Sequence, residues 1–146
     1  MIMENILELQ QVSKTFPKSN FTLENVTFSL PYGSILGFVG ENGAGKTTTI
    51  GCILNTIAKD SGTITLFGQE MLEEDTGLRE RIGVVYDGDN FPTYWTAKQL
   101  SEIMKGFYTQ WDSSLFQKYL EDFHLPANQK IKHYSRGMTM KLAIAT

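Results

Sequence analysis

Residues 40–47 read GENGAGKT, the spacing Gly-x-x-x-x-Gly-Lys-Thr, set between an apolar run and a segment with helical periodicity. Those residue types suit phosphate chemistry. Gly43 and Gly45 permit the tight bends that aim successive backbone N–H groups at phosphate oxygens, and Gly40, Asn42 and Ala44 complete the loop. A helix beginning at the loop's end adds partial positive charge. Lys46 would reach β- and γ-phosphates, Thr47 would offer its hydroxyl to Mg²⁺, and Thr48 could bond an α-phosphate through its hydroxyl and amide. The plain alternative is a glycine-rich turn before a helix. Background frequencies give about one chance match per few hundred chains of this length, before strand and helix are demanded. The loop is therefore expected to cradle the phosphates of a nucleotide.

Such a loop must be held by its neighbours. SILGFVG, residues 34–40, is a short continuous apolar run that predicts a strand buried on both faces, and RIGVVYD predicts another. NILELQQVSKTF, FTLENVTFSL and GTITLFG predict three more strands, and a helix is expected from Lys46 through Ile57 with Ile50, Ile53, Leu54 and Ile57 on one side. After Pro92 the pattern turns helical. Thr96 with Gln99 forms a capping box before Ala97, Leu100, Ile103, Met104 and Phe107. Asp112 can cap a second helix carrying Leu115, Phe116, Tyr119, Leu120 and Phe123 on one face. Ser135 can cap a last one, in which Met138, Leu142 and Ala145 recur at helical spacing until the chain stops without a terminating signal. A mixed α/β core with a helical insertion follows, in a chain expected to be a fragment.

Composition excludes several classes. With 146 residues, 41% hydrophobic and 20% charged, the chain can build one domain, or part of one, around a real core. A net charge of −3 leaves no overall basic footprint, so nucleic acid is not expected as a partner. Cys52 is the single cysteine, which fits a reducing compartment. No run approaches the ~20 apolar residues of a membrane helix, and the acidic start MIMENILELQ is unlike a signal peptide.

Taken together, LELQQVSKTF, VTFSLPYGSILGFVGENGAGKTTTI, SGTITLFG, RIGVVYD and YSRGMTMKLAIA resemble the N-terminal two-thirds of an ATP-binding-cassette (ABC) transporter ATPase subunit. FYTQWDSSLFQKYLEDFHLP is similar to bacterial subunits of the antibiotic-resistance and acetoin-utilisation type. The resemblance implies a phosphate-loop NTPase core with an antiparallel β subdomain and a helical insertion, ending before the acidic (Walker B) strand. It divides the chain into a nucleotide-binding core and β subdomain at 1–90, the insertion at 91–134 and a signature helix at 135–146. Phe16 falls where an aromatic ring stacks on adenine, the lesser alternative being an ordinary strand-end core aromatic. Tyr134-Ser135-Arg136-Gly137-Met138 matches the Leu-Ser-Gly-Gly-Gln signature, keeping Ser135 and Gly137, the positions that contact the γ-phosphate of ATP held by a partner subunit. The implied ligands are ATP and Mg²⁺. The implied partners are a second ATPase subunit and a separate transmembrane permease, at the cytoplasmic face of a membrane. The strand with the Mg²⁺-binding Asp and catalytic Glu, and the switch His, are expected beyond Thr146; His124 and His133 come too early and are expected at the surface.

Asp87 stands where the family usually has a Gln that senses Mg²⁺. An apolar strand ending in Asp is also what an Mg²⁺-binding acidic strand looks like. Asp87 could then be a metal ligand and catalytic residue beside Lys46, in a small self-sufficient nucleotidase. Two other readings are a nucleotide-binding fragment without catalysis and an interaction fragment. Phe91, Tyr94 and Trp95 could receive the permease or fill the core of the insertion, while Trp111, the methionines and Cys52 are simplest as core.

Overall fold

Along strand β1 (Asn5–Thr15), Leu7 and Leu9 alternate, and Val12 breaks the alternation by one position yet is fully buried. A bulge reconciles the two. Leu9 and Val12 oppose Phe28 and Val26 of β2 (Thr22–Pro31), so β1 spends one extra residue there. Gln11 takes it up with a left-handed φ of 51° and gives its N–H to Thr27 Oγ1 at 2.9 Å. The structure, a computed structural model, describes residues 5–72, 76–88 and 90–146. They belong to two compact units, Met1–Arg81 and Ile82–Thr146.

In the first unit, β3 (Ser61–Leu66) and β4 (Gln69–Glu70) extend an antiparallel sheet of order β2-β1-β3-β4. Leu7, Leu9, Val12, Leu23, Ile64 and Leu66 bury its inner face. Gly62, opposite the bulge, has φ 84°, and a Cβ there would collide with the Gln11 carbonyl. Gly62→Ala is expected to lower stability by about 2 kcal/mol or more, read as a drop in urea midpoint at constant slope. Asp60 accepts from Lys14 Nζ and the Thr15 amide, each at 2.7 Å, which together hold its carboxyl below the usual range.

Three expectations need correction here. Residues 34–40 are not a strand: all are exposed, Ile35 fully and Val39 almost so. The run from Arg81 to Asp87 is not a strand either. A continuous apolar run announces a strand only if neighbours supply its hydrogen bonds, and among the described residues no strand pairs with either segment. Third, helix α1 spans Lys46–Ile53 and ends short of Ile57. Asn55 turns left-handed at φ 53°, and the amides of Thr56 and Ile57 return to the Gly51 carbonyl at 2.9 and 3.1 Å, closing the helix. Thr49, Gly51 and Cys52 take the buried side, while Ile50 is exposed. A short helix α2 (Thr76–Arg79) follows β4.

The second unit packs α3 (Ala97–Phe107), α4 (Ser113–Asp122) and α5 (Arg136–Ala145) around Leu100, Phe116, Leu120, Ile131 and Leu142. Thr96, Asp112 and Ser135 cap them as their spacing predicts. The stretch before α5 runs beside the start of α3: Ile131 N–H donates to Trp95 O at 2.8 Å and Lys132 N–H to Thr93 O at 2.7 Å. The Tyr134 hydroxyl donates to Pro126 O at 2.8 Å, and burial raises its pKa. Phe91 and Trp95 pack against this core, while Tyr94 is exposed. Leu115 and Tyr119 are exposed rather than sharing the buried face of Phe116 and Leu120. Trp111 packs on the core and donates Nε1–H to Ser101 Oγ at 3.2 Å. Met71 is buried and Met104 and Met138 line the helical core; Met1 and Met3 lie outside the described residues. His124 and His133 are both exposed.

Candidate functional site

The glycine-rich loop enters α1 through two left-handed residues, Gly43 at φ 90° and Gly45 at φ 95°. Only glycine adopts these without strain. Gly45 is the N-cap of α1 and, having no side chain, makes no capping bond to the first-turn amides. Its Cα faces Leu23 and Phe21 so closely that a Cβ would lie 2.7 Å from Leu23 Cδ1 and 3.1 Å from Phe21 Cζ. The helix N-terminus is thereby seated on β2 and on the hairpin that precedes it.

Lys46 folds back over the loop, its ammonium donating to the carbonyls of Gly40 at 2.6 Å and Glu41 at 2.7 Å. Of its three protons, one remains for an anion. Thr49 is not a ligand, because its buried hydroxyl donates to the Gly45 carbonyl at 2.9 Å and pins the loop to the helix. Asn42, Gly43, Gly45, Lys46, Thr47 and Thr48 line one pocket of about 300 Å³, and Phe21 forms its wall. The cradle fits a polyphosphate: its backbone is closed to any residue but glycine at the tightest point, and an ammonium and two hydroxyls meet there. One hydroxyl, from Thr47, suits Mg²⁺, which keeps most of its water and takes phosphate oxygens.

Phe16 lies outside that lining. It packs against Phe21 with ring centroids 6.4 Å apart and carries the Lys14 ammonium over its face at 5.8 Å. Sequence reasoning passed over Phe21; the signal was a second aromatic five residues after Phe16, across a hairpin closed by Phe16 N–H to Phe21 O at 3.4 Å.

The signature positions sit in the second unit. Ser135 Oγ accepts from Met138 N–H at 3.2 Å, leaving its own proton to donate, and Gly137 is exposed, a Cβ there standing in ordinary contact with Ser135 Oγ at 3.9 Å. Arg136 between them reaches Asp87, Nη2 to Oδ1 2.7 Å, in a pair that is 84% and 73% exposed. Asn90 closes the turn that presents Asp87: its side chain accepts from Tyr86 N–H at 3.0 Å and donates to Tyr86 O at 2.9 Å. Neither Arg136 nor Asn90 was singled out by sequence. Cys52 is buried, and that burial pushes its thiol pKa up, so it is a packed small hydrophobe rather than a nucleophile. Among the described residues no helix is long and apolar enough to cross a membrane.

The family model for ABC transporters matches residues 23–146. The chain belongs to the ABC transporter family. It is 30% identical over 141 residues to the ABC transporter ATP-binding protein YtrB of Bacillus subtilis (strain 168), across 95% of this chain and 47% of that protein. To the bacitracin transport ATP-binding protein BcrA of Enterococcus faecalis it is 29% identical over 147 residues, covering 99% and 47%. A solved ATP binding subunit of an ABC transporter shares the fold with a TM-score of 0.81 at 24% identity, over 96% of this chain and 60% of that one. This ABC chain thus spans about half the length of the curated relatives it matches. The expected α/β ATPase fold, with its antiparallel β subdomain and helices, is the fold of these cassettes.

Proposed function

We propose that this chain is the nucleotide-binding part of an ABC transporter ATPase, taking ATP with Mg²⁺ in the loop of residues 40–48. The observation that carries the reading is the glycine cradle, in which Gly43 and Gly45 turn the backbone and Lys46, Thr47 and Thr48 face a single pocket. Lys46 holds the β- and γ-phosphates with its remaining proton, and the uncapped first-turn amides of α1 meet the phosphate oxygens. Thr47 holds Mg²⁺, which supplies charge neutralisation at the phosphates when bound. In the intact transporter two such subunits sandwich two ATP molecules, each between this loop and the Ser135 and Gly137 of the other. Closing and reopening that pair passes motion through the insertion of residues 91–134 to a separate membrane chain, which places the protein at the cytoplasmic face. The names of the relatives, ATP-binding proteins of transporters, support this reading.

The small-nucleotidase reading is not favoured. Its metal ligand would be Asp87, whose carboxylate is engaged by Arg136. We assign Asp87 instead to holding the first turn of the signature helix. Titration of the purified chain with a fluorescent ATP analogue in the presence of Mg²⁺ tests the function. Saturable binding that inorganic tripolyphosphate displaces is expected; an absence of saturable binding would sink it.

A further inference from the structure

In the second unit, Asp87, Phe91, Thr93, Lys132 and Arg136 are among the residues that line a cavity of about 540 Å³. We propose that this cavity is a binding site for a small organic acid, a carboxylate carried on an apolar body, with Lys132 and Arg136 holding the carboxylate. It belongs to a different unit from the glycine-rich loop, so the two sites are tested independently.

Both cations have donors to spare. The exposed Lys132 ammonium has no hydrogen-bond or ion-pair partner among the described residues. Arg136 spends one N–H on Asp87, Nη2 to Oδ1 at 2.7 Å, whereas a guanidinium carries five in a fork that matches the two oxygens of a carboxylate. That pair is 84% and 73% exposed, and exposed pairs are weak, so an incoming carboxylate can share the guanidinium or take it. The lining sets two cations against one carboxylate, Asp87, and the single positive charge left over suits a monoanion.

The apolar body meets walls that are already set. Ile131 and Tyr134, which also line the cavity, are buried, and Phe91 packs against the core of the unit. The Tyr134 hydroxyl is committed to Pro126 O at 2.8 Å, so its ring is what it offers a ligand. The Lys132 N–H donates to Thr93 O at 2.7 Å, which ties the segment bearing the ammonium to another lining residue. Walls fixed beforehand spare the ordering cost of binding, and mostly apolar walls with a few charged groups are the composition of small-molecule sites. Arg136 stands between Ser135 and Gly137, so a bound acid is held by the first turn of α5.

The test compares three probes on three proteins. Benzoate, its neutral counterpart benzyl alcohol, and inorganic phosphate are each titrated by calorimetry against the wild-type chain, Lys132→Ala and Asp87→Asn, beside a thermal melt that shows each protein to be folded. Wild type is expected to bind benzoate with a Kd of about 1 mM or tighter, and at least about tenfold more tightly than either other probe. Lys132→Ala should lose about tenfold, the scale of one hydrogen bond to a charged group. Asp87→Asn removes the repelling carboxylate and frees the Arg136 fork, so it should bind benzoate about threefold more tightly. Excess Mg-ATP should leave the benzoate titration unchanged. The proposal is overturned if benzoate does not saturate, or if benzyl alcohol or phosphate binds as well, since the charge or the body then contributes nothing. It is also overturned if Lys132→Ala binds benzoate as wild type does, or if Asp87→Asn binds it no more tightly. Displacement of benzoate by Mg-ATP would place the acid on the glycine-rich loop and overturn it as well, whereas failure of Mg-ATP itself to bind counts against the nucleotide reading alone.

Discussion

Lys46→Ala is expected to lower the affinity for Mg-ATP by about a hundredfold and to leave the fold intact. The side chain donates to the Gly40 and Glu41 carbonyls and keeps one proton for the phosphates. Truncation removes a full positive charge from the cradle, and a charge-assisted hydrogen bond contributes about 1.5–3 kcal/mol, which spans roughly ten- to more than a hundredfold. The two carbonyls it releases belong to exposed residues, so water replaces the ammonium and little stability is lost. Binding titration beside a thermal melt separates the two effects. A variant that binds Mg-ATP as wild type does would remove Lys46 from the phosphate site. Single-turnover hydrolysis by the same pair of proteins adds a second reading, in which wild-type turnover no higher than that of Lys46→Ala is expected. Turnover that depends on Lys46 would mean that this chain carries its own catalytic groups, and Asp87 would return as a candidate.

Gly45→Ala should be the most damaging small change in the loop, with ATP binding down more than tenfold and a lowered melting temperature. Two costs add. A non-glycine residue at φ 95° costs about 1–2 kcal/mol. The new methyl would also meet Leu23 Cδ1 at 2.7 Å and Phe21 Cζ at 3.1 Å, so those two side chains must give way. Gly43→Ala is the control, because φ is 90° but nothing lies within 4 Å of the added carbon. It should pay the backbone strain alone and retain more of both binding and stability. Equal losses in the two variants, measured by ATP titration and thermal melting, would mean that the seating of Gly45 on Leu23 and Phe21 contributes nothing.

What one residue type does to its own neighbourhood was legible in the sequence. The capping residues Thr96, Asp112 and Ser135 start helices where their spacing says they should, because a cap needs only amides two or three residues away. The phosphate loop is local in the same sense: glycines, a lysine and a helix start within eight residues make the cradle. The end of α1 was also available, since Asn55 is a residue that turns left-handed readily, but the apolar spacing through Ile57 argued more loudly.

Only the tertiary structure decided the features that depend on distant partners. Residues 34–40 carry the composition of a buried strand, yet a strand exists by the hydrogen bonds of its neighbours, and composition reports the demand without the supply. Val12 keeps to the inner face because the β1 bulge at Gln11 shifts its register against β2 and β3. Arg136 meets Asp87 across 49 positions of sequence, and Phe21 rather than Phe16 reaches the loop because Gly45 leaves room for its ring. The sequence by itself determined which loop forms the glycine cradle at the start of α1. Which aromatic ring stands over that loop, and what Asp87 touches, are matters of through-space distance that no local pattern encodes.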